Sequence, residues 1–455
     1  MSRNEVKPKP LLQPEYCKGC GRCIETCAQD CISAGAEIHP LSGLVPVSLS
    51  LDRCNACGLC IDACPEPYGL VPDAPARPPA PTSEPRDVPA TRVELRGVQP
   101  LIVKGTHASA VGALLAGCRH FFGYPITPST EGAELMARLL PVLGGTFLQA
   151  PSEIAAVNMM FGCGAAGLPA MTFTSSPGFT LMLEGISYMI GAELPGVFVD
   201  IMRAGPGLGN IGPSQAELKL ACRGLGHGDT HAVVLAPATP QEMLDFTMLA
   251  FELSFRDRNP VVILADGYLG QMTGKVALPP FAVRPGLPAW AVAGDASHRR
   301  NLVASIELRE IDQEAHVRKL VAKYARIQET EQRAELFRCE GAEVLVVACN
   351  TPSQIAKGAV EALRREGTAV GLFRPQTVWP FPVRHLVPLL ERARRVVVVE
   401  ASDGQLENEM RLALSHARVS GIDIHGVRRL GGMLPSQQEI VEAVRATRPN
   451  REARA

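Results

Sequence analysis

The stretch PAMTFTSSPGFTLMLEGISYMIGAELPGVFVDIM, residues 169–202, decides the fold class of most of this 455-residue chain. It begins with the short apolar run PAMTFTS, continues through the longer pattern TLMLEGISYMIGAE and ends with the apolar run GVFVDIM. Short apolar runs are typical of buried strands, and the longer pattern between them is typical of a helix. A strand, a helix and a second strand in this order predict a βαβ unit within a parallel sheet.

The same alternation continues on both sides of this stretch. Upstream, the apolar run HFFGYP precedes TEGAELMARLLPVL; downstream, AVVLAP precedes QEMLDFTMLAFELS and VVILAD. Strands that alternate with helices predict an α/β domain with a mostly parallel sheet, and we place it at residues 93–275. A second series, from EVLVVACN to RVVVVEA, predicts a smaller α/β domain at residues 341–445. Between the two lies a connector, 276–340, in which the charged residues 301–338 predict a solvated helix.

Composition and charge narrow the class of protein. Hydrophobic residues make up 46% of the chain and aromatic residues only 5%, which suits α/β cores built from Ala, Val, Leu and Ile. The 45 Lys and Arg residues nearly balance the 46 Asp and Glu residues. The chain as a whole therefore lacks the excess of positive charge that binding to nucleic acid or an anionic membrane requires. The sequence has no apolar run of 18 residues, and its N-terminus lacks the apolar core of a signal peptide. We therefore expect a cytoplasmic protein that binds neither nucleic acid nor membrane.

Nine of the fourteen cysteines crowd into residues 17–64. Two runs, CKGCGRCIETC and CNACGLCIDACP, have the spacing C-x2-C-x2-C-x3-C that is typical of bacterial domains with two [4Fe–4S] clusters. The first three cysteines of each run bind one cluster, and the fourth binds the other. A pair of zinc sites is the alternative, but three ligands on one such loop are unusual for zinc. We predict a small α+β ferredoxin-like domain at residues 1–70 with two ligand sets: Cys17, Cys20, Cys23 and Cys64, and Cys54, Cys57, Cys60 and Cys27.

One detail of the first cysteine run stays open. Ala28 stands where this pattern usually has proline, and Cys31 follows three residues later. Cys31 either replaces Cys27 as a ligand or is a fifth thiol that binds no iron. Cys27 keeps the usual spacing, which favours the second alternative.

A proline-rich segment follows the second cysteine run. Residues 66–90 contain eight prolines and few large apolar side chains. Such a composition does not form a packed core and is typical of a semi-rigid linker. We place this linker at residues 71–92.

Three further positions carry chemistry that the α/β pattern does not require. In GYPITPSTEGAEL, which begins at Gly123, Thr127 and Pro128 predict a helix start with Thr127 as N-cap. One interpretation is a capped helix with a structural role only. The other is an anion-binding site, because a helix N-terminus with a free hydroxyl can bind anions. Glu153 begins an apolar helix. There its negative charge either interacts favourably with the helix dipole, or the desolvated carboxyl group keeps its proton and donates a hydrogen bond to a ring nitrogen. Arg203 follows an apolar strand and can hold a carboxylate with two hydrogen bonds.

These stretches resemble the α subunit of the 2-oxoacid:ferredoxin oxidoreductases. Five motifs in the same order carry the resemblance, and they lie at residues 123–131, 151–167, 175–203, 205–215 and 371–382. The resemblance implies a domain that binds the pyrimidine of thiamine diphosphate, followed by a transketolase-C-like domain. It implies that Glu153 hydrogen-bonds the aminopyrimidine, that Pro125 contacts it through the backbone, and that Thr127 and Arg203 hold the carboxylate of the substrate.

The implied activity is the oxidative decarboxylation of a 2-oxoacid to an acyl-coenzyme A, with 2-oxoglutarate or a branched-chain 2-oxoacid as substrate. The two [4Fe–4S] clusters are then the electron exit, fused here to the α chain, although many relatives carry that module separately or lack it. Implied partners are a β-type chain, a γ-type chain, and either ferredoxin or a flavin subunit that reduces a nicotinamide. Two alternatives remain: a phenylglyoxylate or aryl-pyruvate oxidoreductase subunit, and a non-catalytic adaptor that carries a ferredoxin.

Two glycine-containing motifs depart from what thiamine or nucleotide enzymes require. Thiamine enzymes bind Mg²⁺ and the diphosphate with a GDG motif and a later Asn, whereas this chain has Ala265-Asp266-Gly267 and no such Asn. We therefore expect the β-type chain to supply Mg²⁺ and diphosphate binding.

GPGLGNIG, residues 205–212, satisfies G-x-G-x-x-G, but the acidic residue that a dinucleotide fold needs after the next strand is absent. We predict a flexible loop beside the substrate site instead.

Overall fold

The computed structural model describes residues 8–73, 84–295 and 297–447. These residues form two compact units. The first unit takes its residues from the first 84 positions and from 307–315, and the second takes the others. Part of the predicted linker, residues 74–83, lies outside the described residues. Within these ranges, no helix combines the length and the apolar character that crossing a membrane requires.

The described residues of the first unit include these short strands and α-helices: β1 (Pro10–Leu12), α1 (Arg22–Thr26), β2 (Ile32–Ala34), β3 (Val47–Leu49), α2 (Leu59–Asp62) and β4 (Leu70–Pro72). β1 pairs with β4 and β2 pairs with β3, both antiparallel. Gly21 and Gly58 precede α1 and α2 at equivalent positions of the two cysteine runs, with φ angles of 78° and 81° that favour glycine. Cysteines make up much of the buried core. The predicted α+β class is confirmed.

The second unit begins with these elements: β5 (Thr91–Glu94), β6 (Leu101–Lys104), α3 (Gly105–Leu115), β7 (His120–Gly123), α4 (Thr130–Val142), β8 (Thr146–Gln149), α5 (Glu153–Ala165), β9 (Ala170–Thr174), α6 (Ser176–Gly191), β10 (Gly196–Met202), α7 (Leu218–Arg223), β11 (Val233–Leu235), α8 (Pro240–Asp257), β12 (Pro260–Asp266), α9 (Gly267–Gln271), β13 (Thr273–Val276) and β14 (Phe281–Arg284). The chain continues with α10 (Glu310–Thr330), β15 (Ala334–Phe337), β16 (Val344–Val347), α11 (Asn350–Arg365), β17 (Val370–Pro375), β18 (Thr377–Trp379), α12 (Val383–Leu390), β19 (Arg395–Glu400), α13 (Gln405–His416), β20 (Asp423–Arg428) and α14 (Gln437–Ala446).

A seven-stranded sheet forms the centre of this unit, in the order β18-β11-β12-β10-β9-β7-β8. All neighbouring strands are parallel except β18, which is antiparallel to β11. Every residue of β9, β10 and β12 is buried, which explains why their sequences are almost continuously apolar. The βαβ unit predicted from residues 169–202 is confirmed as β9, α6 and β10.

The second α/β block forms a five-stranded sheet in the order β15-β17-β16-β19-β20. Three of its four strand pairings are parallel, and the fourth joins β15 antiparallel to β17 at one edge. β18 leaves this block and joins the larger sheet, so a strand from the smaller block completes the larger one. The predicted α/β class is confirmed for both blocks.

The connector differs from the predicted long charged helix. α10 covers residues 310–330 only, and β15 at residues 334–337 is a strand. That part of the prediction is wrong because an antiparallel partner, β17, provides the hydrogen bonds for β15 from a distant part of the chain. α10 is also not wholly solvated, since Leu320, Tyr324 and Ile327 are buried.

Two strand ribbons form that the sequence patterns did not predict. β5 pairs antiparallel with β14, and β6 pairs antiparallel with β13. Thr91 and Arg92 therefore belong to a strand and not to the linker predicted at residues 71–92. The partners lie far apart in the sequence, and a strand that depends on a distant partner has only a weak local pattern.

Thr127 is not the N-cap that the sequence predicted. α4 begins at Thr130, with Ser129 before it. The hydroxyl and the peptide N–H of Ser129 both donate to the carbonyl oxygen of Ile126, at 2.7 and 3.0 Å, and so close a turn ahead of the helix. A residue that precedes proline is disfavoured in helical conformation, which keeps Thr127 outside the helix.

Candidate active site and cluster cavities

The residues predicted to bind cofactor and substrate follow the carboxyl ends of parallel strands in the larger sheet. Pro125 and Thr127 follow β7, Glu153 follows β8 and Arg203 follows β10. Pro125 and Thr127 are exposed, Arg203 is half-buried and Glu153 is buried. Ligands of open α/β sheets bind at this edge, because the loops after the strands meet there. The fold therefore puts all four predicted residues at one edge of the sheet.

Glu153 begins α5 with its carboxyl group in a confined space. The Ser152 hydroxyl caps the helix by accepting a hydrogen bond from the Ala155 peptide N–H, at 3.2 Å. Gly178 in α6 leaves the room that this carboxyl occupies: a Cβ there would lie 2.5 Å from Glu153 Oε1 and 2.3 Å from Thr174 Oγ1. Thr174 Oγ1 is buried and has no hydrogen-bond partner among the described residues. Only glycine at position 178 accommodates this carboxyl and hydroxyl.

Arg203 contacts the backbone of Thr127. Its guanidinium group donates to the Thr127 carbonyl oxygen at 2.9 Å and to the Leu208 carbonyl oxygen at 3.3 Å. Its Nε is buried and has no hydrogen-bond partner in the described part of the chain. A guanidinium held by carbonyl oxygens keeps its full positive charge, so this site can accept an anion such as a carboxylate.

The loop GPGLGNIG does not have the geometry of a dinucleotide-binding turn. The Ala204 peptide N–H donates to the Gly212 carbonyl oxygen at 3.1 Å and closes the loop on itself. The next helix, α7, begins only at Leu218, whereas a dinucleotide fingerprint opens directly into a helix. The loop instead lies over Arg203, through the contact of that residue with Leu208.

Two acids that were not predicted, the buried Asp200 and the half-buried Glu217, interact electrostatically with each other, and Glu217 also interacts with Arg203. Asp200 is fully buried in β10, and Glu217 directly precedes α7. Burial and the neighbouring Glu217 raise the pKa of Asp200 well above its usual range. Burial raises the pKa of Glu217 to about 7, while Ser176 and Arg203 act to lower it. The sequence feature that could have indicated a buried acid is Asp200 itself, which is the one charged residue in the apolar run GVFVDIM.

Asp266, the acid of the Ala-Asp-Gly motif, has a structural role. Its side chain caps α9 by accepting hydrogen bonds from the peptide N–H groups of Tyr268 and Leu269, both at 3.0 Å. The peptide N–H and the hydroxyl of Thr351 in α11 also donate to it, at 2.8 Å each. Both carboxylate oxygens are thus engaged, and Asp266 is not available to a metal ion.

The first unit contains two cavities that divide the cysteines into the predicted sets. Among the residues around one cavity are Cys17, Cys20, Cys23 and Cys64. The other is lined in part by Cys27, Cys54, Cys57 and Cys60. Within the described ranges, no three His, Cys, Asp or Glu side chains converge closely enough for a single metal ion. Four thiols around a space suit a cubane of four irons and four sulfides better than one zinc ion, so the residues fit two [4Fe–4S] clusters.

Cys31 lines the second cavity as a fifth cysteine. Its peptide N–H donates to Cys27 Sγ at 3.4 Å, and its own thiol is directed to the carbonyl oxygen of Gln29 at 3.5 Å. An N–H that donates to sulfur stabilises a thiolate at Cys27. This arrangement favours Cys27 as the ligand, with Cys31 as a supporting residue.

The sheet edge also fits the pyrimidine half of thiamine diphosphate. Glu153 presents a buried carboxyl, Gly178 leaves space beside it, and Thr174 has a hydroxyl without a partner among the described residues. A buried acid is the group that such a ring nitrogen requires. For the diphosphate half of the cofactor, Asp266 offers no free carboxylate, because both of its oxygens accept hydrogen bonds within the chain.

Comparisons with known families agree with this geometry. Residues 111–335 match the family described as pyruvate flavodoxin/ferredoxin oxidoreductase, thiamine diphosphate-binding. Residues 342–440 match pyruvate:ferredoxin oxidoreductase core domain II, and residues 16–67 match the 4Fe-4S dicluster domain. The chain is therefore a thiamine-diphosphate-binding oxidoreductase subunit that carries its own two-cluster iron–sulfur domain.

Individual relatives narrow the family. The ketoisovalerate oxidoreductase subunit VorB of Methanothermobacter thermautotrophicus is 46% identical over 346 residues, which are 76% of this chain and 97% of that one. The 2-oxoglutarate synthase subunit KorA of Methanocaldococcus jannaschii is 36% identical, over 75% of this chain and 98% of that one. This chain belongs to the 2-oxoacid:ferredoxin oxidoreductase family, as the sequence motifs predicted.

A solved structure supports the same fold. The 2-oxoglutarate:ferredoxin oxidoreductase from Magnetococcus marinus, with 2-oxoglutarate, coenzyme A and succinyl-CoA bound, superimposes with a TM-score of 0.69 at 26% identity. The match covers 76% of this chain and 65% of that one.

Proposed function

We propose that this chain is the α-type subunit of an enzyme that oxidatively decarboxylates a 2-oxoacid to an acyl-coenzyme A. Electrons leave through the two clusters of its own N-terminal domain. One observation carries the proposal: Glu153, Thr127 and Arg203 lie at one edge of a parallel sheet, with the Arg203 guanidinium free of any carboxylate partner among the described residues. When bound, thiamine diphosphate supplies the nucleophilic carbon and the electron sink.

Each residue of the site has a defined task in this proposal. Glu153 holds a proton at the ring nitrogen of the aminopyrimidine, and its burial strengthens that hydrogen bond. Pro125 contacts the same ring through its backbone. Arg203 and Thr127 hold the substrate carboxylate, so that the 2-oxo carbon is oriented for attack. Their positions after β10 and β7 fix this orientation on rigid strands.

A branched-chain 2-oxoacid is the proposed substrate class. The relative with the higher identity is named a ketoisovalerate oxidoreductase subunit. The loop that contacts Arg203, residues 204–212, contains no charged side chain. A dicarboxylate such as 2-oxoglutarate would need a second cation for its distal carboxylate. 2-Oxoglutarate is the second candidate, because KorA and the solved structure carry that name.

The proposal also specifies partners and location. A β-type chain supplies Mg²⁺ and diphosphate binding, which Asp266 supports because its oxygens are already engaged. A γ-type chain completes the enzyme, and the electron acceptor is ferredoxin or a flavin subunit that reduces a nicotinamide. The cytoplasm is the proposed location, because its reducing conditions preserve thiolate-bound clusters.

The test is reduction of a viologen dye under anaerobic conditions. The chain is co-expressed with its β-type partner and assayed with coenzyme A and either 2-oxoisovalerate, 2-oxoglutarate or phenylglyoxylate. Glu153→Gln keeps the size of the side chain and removes its acidity, and we expect it to lower kcat/KM by about 100-fold or more. Glu366→Gln makes the same chemical change at an exposed position that pairs with Arg445, and serves as the control.

The enzyme hypothesis and the alternative, a non-catalytic adaptor that carries a ferredoxin, predict different results in this assay. The enzyme requires one oxoacid, coenzyme A and the second chain together. If the wild-type complex has fully loaded clusters and bound thiamine diphosphate but reduces no dye with any oxoacid, the enzyme proposal is wrong. The adaptor hypothesis would then be the better account.

A further inference from the structure

The loop after Arg203, residues 204–212, contacts the guanidinium that is proposed to hold the substrate carboxylate. The Leu208 carbonyl oxygen accepts a hydrogen bond from Arg203 Nη2 at 3.3 Å. The base of the loop is closed by the Ala204 peptide N–H, which donates to the Gly212 carbonyl oxygen at 3.1 Å. The carbonyl group that accepts from Arg203 thus belongs to the middle of the loop, and its position depends on what holds that middle.

Asn210 holds the middle of this loop through both ends of its side-chain amide. Asn210 Oδ1 accepts a hydrogen bond from the Gly212 peptide N–H at 2.7 Å and closes a turn within the loop. Asn210 Nδ2 donates to the Gly431 carbonyl oxygen at 2.9 Å, and these two residues lie 221 positions apart in the chain. Gly431 belongs to the second α/β block. One side chain therefore joins the loop beside Arg203 to the smaller of the two blocks.

The segment that receives Asn210 is a turn after β20, residues 429–433. Gly431 and Gly432 in this turn have φ angles of 63° and 95°, which favour glycine. A Cβ at Gly432 would lie 2.7 Å from Asn210 Oδ1, and a Cβ at Gly212 would lie 2.9 Å from Gly432 Cα. The two backbones approach this closely because no side chain separates them, so a shift of the turn displaces the loop.

Side-chain packing contributes little to the position of the loop. Leu208 is 83% exposed and Ile211 is 64% exposed, so neither large apolar side chain anchors the loop in the core. Just beyond the loop, the Gln215 side chain accepts from the Ala401 peptide N–H at 2.8 Å and donates to the Cys349 carbonyl oxygen at 3.2 Å. Both partners of Gln215 also belong to the second block. Hydrogen bonds to that block therefore hold the chain within the loop and directly after it.

We infer that Asn210 is a positioning residue for the binding of the 2-oxoacid. Through the bond to Gly431, the second block sets the place of the Leu208 carbonyl, and that carbonyl orients the Arg203 guanidinium. The inference rests on the proposed function for the role of Arg203. Asn210 acts through the loop, and no covalent step or proton transfer passes through it. A guanidinium that is oriented before the substrate arrives binds a carboxylate with less loss of conformational freedom.

Loss of the bond to Gly431 should weaken binding of the oxoacid without slowing the reaction of bound substrate. A guanidinium that is less often in the binding orientation lowers the apparent affinity in proportion to the fraction that remains competent. One neutral hydrogen bond corresponds to about fivefold in an equilibrium of this kind. We expect KM for the oxoacid to rise by about fivefold and kcat to stay within about twofold of the wild type. KM for coenzyme A should stay unchanged.

Asn210→Ser separates the two bonds of the side chain. A serine hydroxyl can still accept from the Gly212 peptide N–H, but it is too short to reach the Gly431 carbonyl oxygen. We expect Asn210→Ser to raise KM for the oxoacid nearly as much as Asn210→Ala, which loses both bonds. Asn408→Ser changes an exposed asparagine of α13 and is the matched control.

Gly432→Ala tests the same contact from the side of the second block. Its Cβ would meet Asn210 Oδ1 at 2.7 Å, so the amide must move and KM for the oxoacid should rise. In the double variant with Asn210→Ser this clash is gone, and KM should be no higher than in the worse single variant. Gly421→Ala is the control for backbone strain, because its φ is 72° and its Cβ would meet nothing within 4 Å.

All variants are assayed by viologen reduction in the complex with the β-type partner, with the preferred oxoacid and saturating coenzyme A. Thermal unfolding is measured in parallel, and we expect the Asn210 variants to unfold at the wild-type temperature. An Asn210→Ser enzyme with the wild-type KM for the oxoacid would overturn the inference, and so would effects that simply add in the double variant. A wild-type complex that turns over no oxoacid would instead count against the proposed function.

Discussion

Gly178→Ala is the substitution whose effect the structure determines most closely. The new Cβ would lie 2.5 Å from Glu153 Oε1 and 2.3 Å from Thr174 Oγ1, whereas ordinary contacts begin at 3.4 Å. The carboxyl group must therefore move by about 1 Å, a misplacement that costs on the order of 100-fold in rate. We expect kcat/KM with the preferred oxoacid to fall by about 100-fold, or about 2.7 kcal/mol in transition-state stabilisation.

Stability should change much less than activity in this variant. Overpacking costs about 1–3 kcal/mol, while replacing glycine by alanine within a helix returns about 1 kcal/mol. Gly162→Ala in α5 is the matched control, because a Cβ at this position meets nothing within 4 Å. Viologen reduction measures activity, and thermal unfolding measures stability. A Gly178→Ala enzyme within twofold of the wild type would show that Glu153 is not held as the structure indicates.

Two further predictions concern the clusters and the core. Cys27→Ser should lower bound iron by up to half and weaken the electron paramagnetic resonance signal of one reduced cluster. Cys31→Ser should leave the iron content at about eight atoms per chain. The opposite pattern would make Cys31 the ligand. Arg374→Ala should destabilise the chain by about 3–5 kcal/mol in chemical unfolding. The side chain is 2% exposed, and its loss leaves Glu242 without its cation and Glu335 with Lys357 alone. A loss below 1 kcal/mol would mean that these acids are hydrated or protonated in the folded state.

Much of the fold was readable from local patterns. Parallel strands buried on both faces are almost continuously apolar, so β9, β10 and β12 stood out as short runs between helical segments. The cysteine spacing predicted two ligand sets, and two cavities lined by the same sets support them. These features succeed because each depends on residues close together in the chain.

The misplaced elements share one physical cause. β15, β5 and β14 have little apolar pattern of their own and exist because a distant strand provides hydrogen bonds. The start of α4 was misplaced because the Ser129 turn, and not a Thr127 cap, satisfies the backbone ahead of the helix. Local propensity describes a segment alone, whereas these boundaries depend on which partner a segment finds.

The sequence by itself determined the class of the chain, the cysteine sets and the positions of Glu153 and Arg203 at element ends. Only the tertiary structure showed what surrounds them. Gly178 leaves the space for the Glu153 carboxyl, although the two residues lie on different helices. The Arg203 guanidinium contacts the backbone of Thr127, which follows a different strand. Space and charge inside a protein are set by side chains that folding brings from distant parts of the chain, and no local pattern records them.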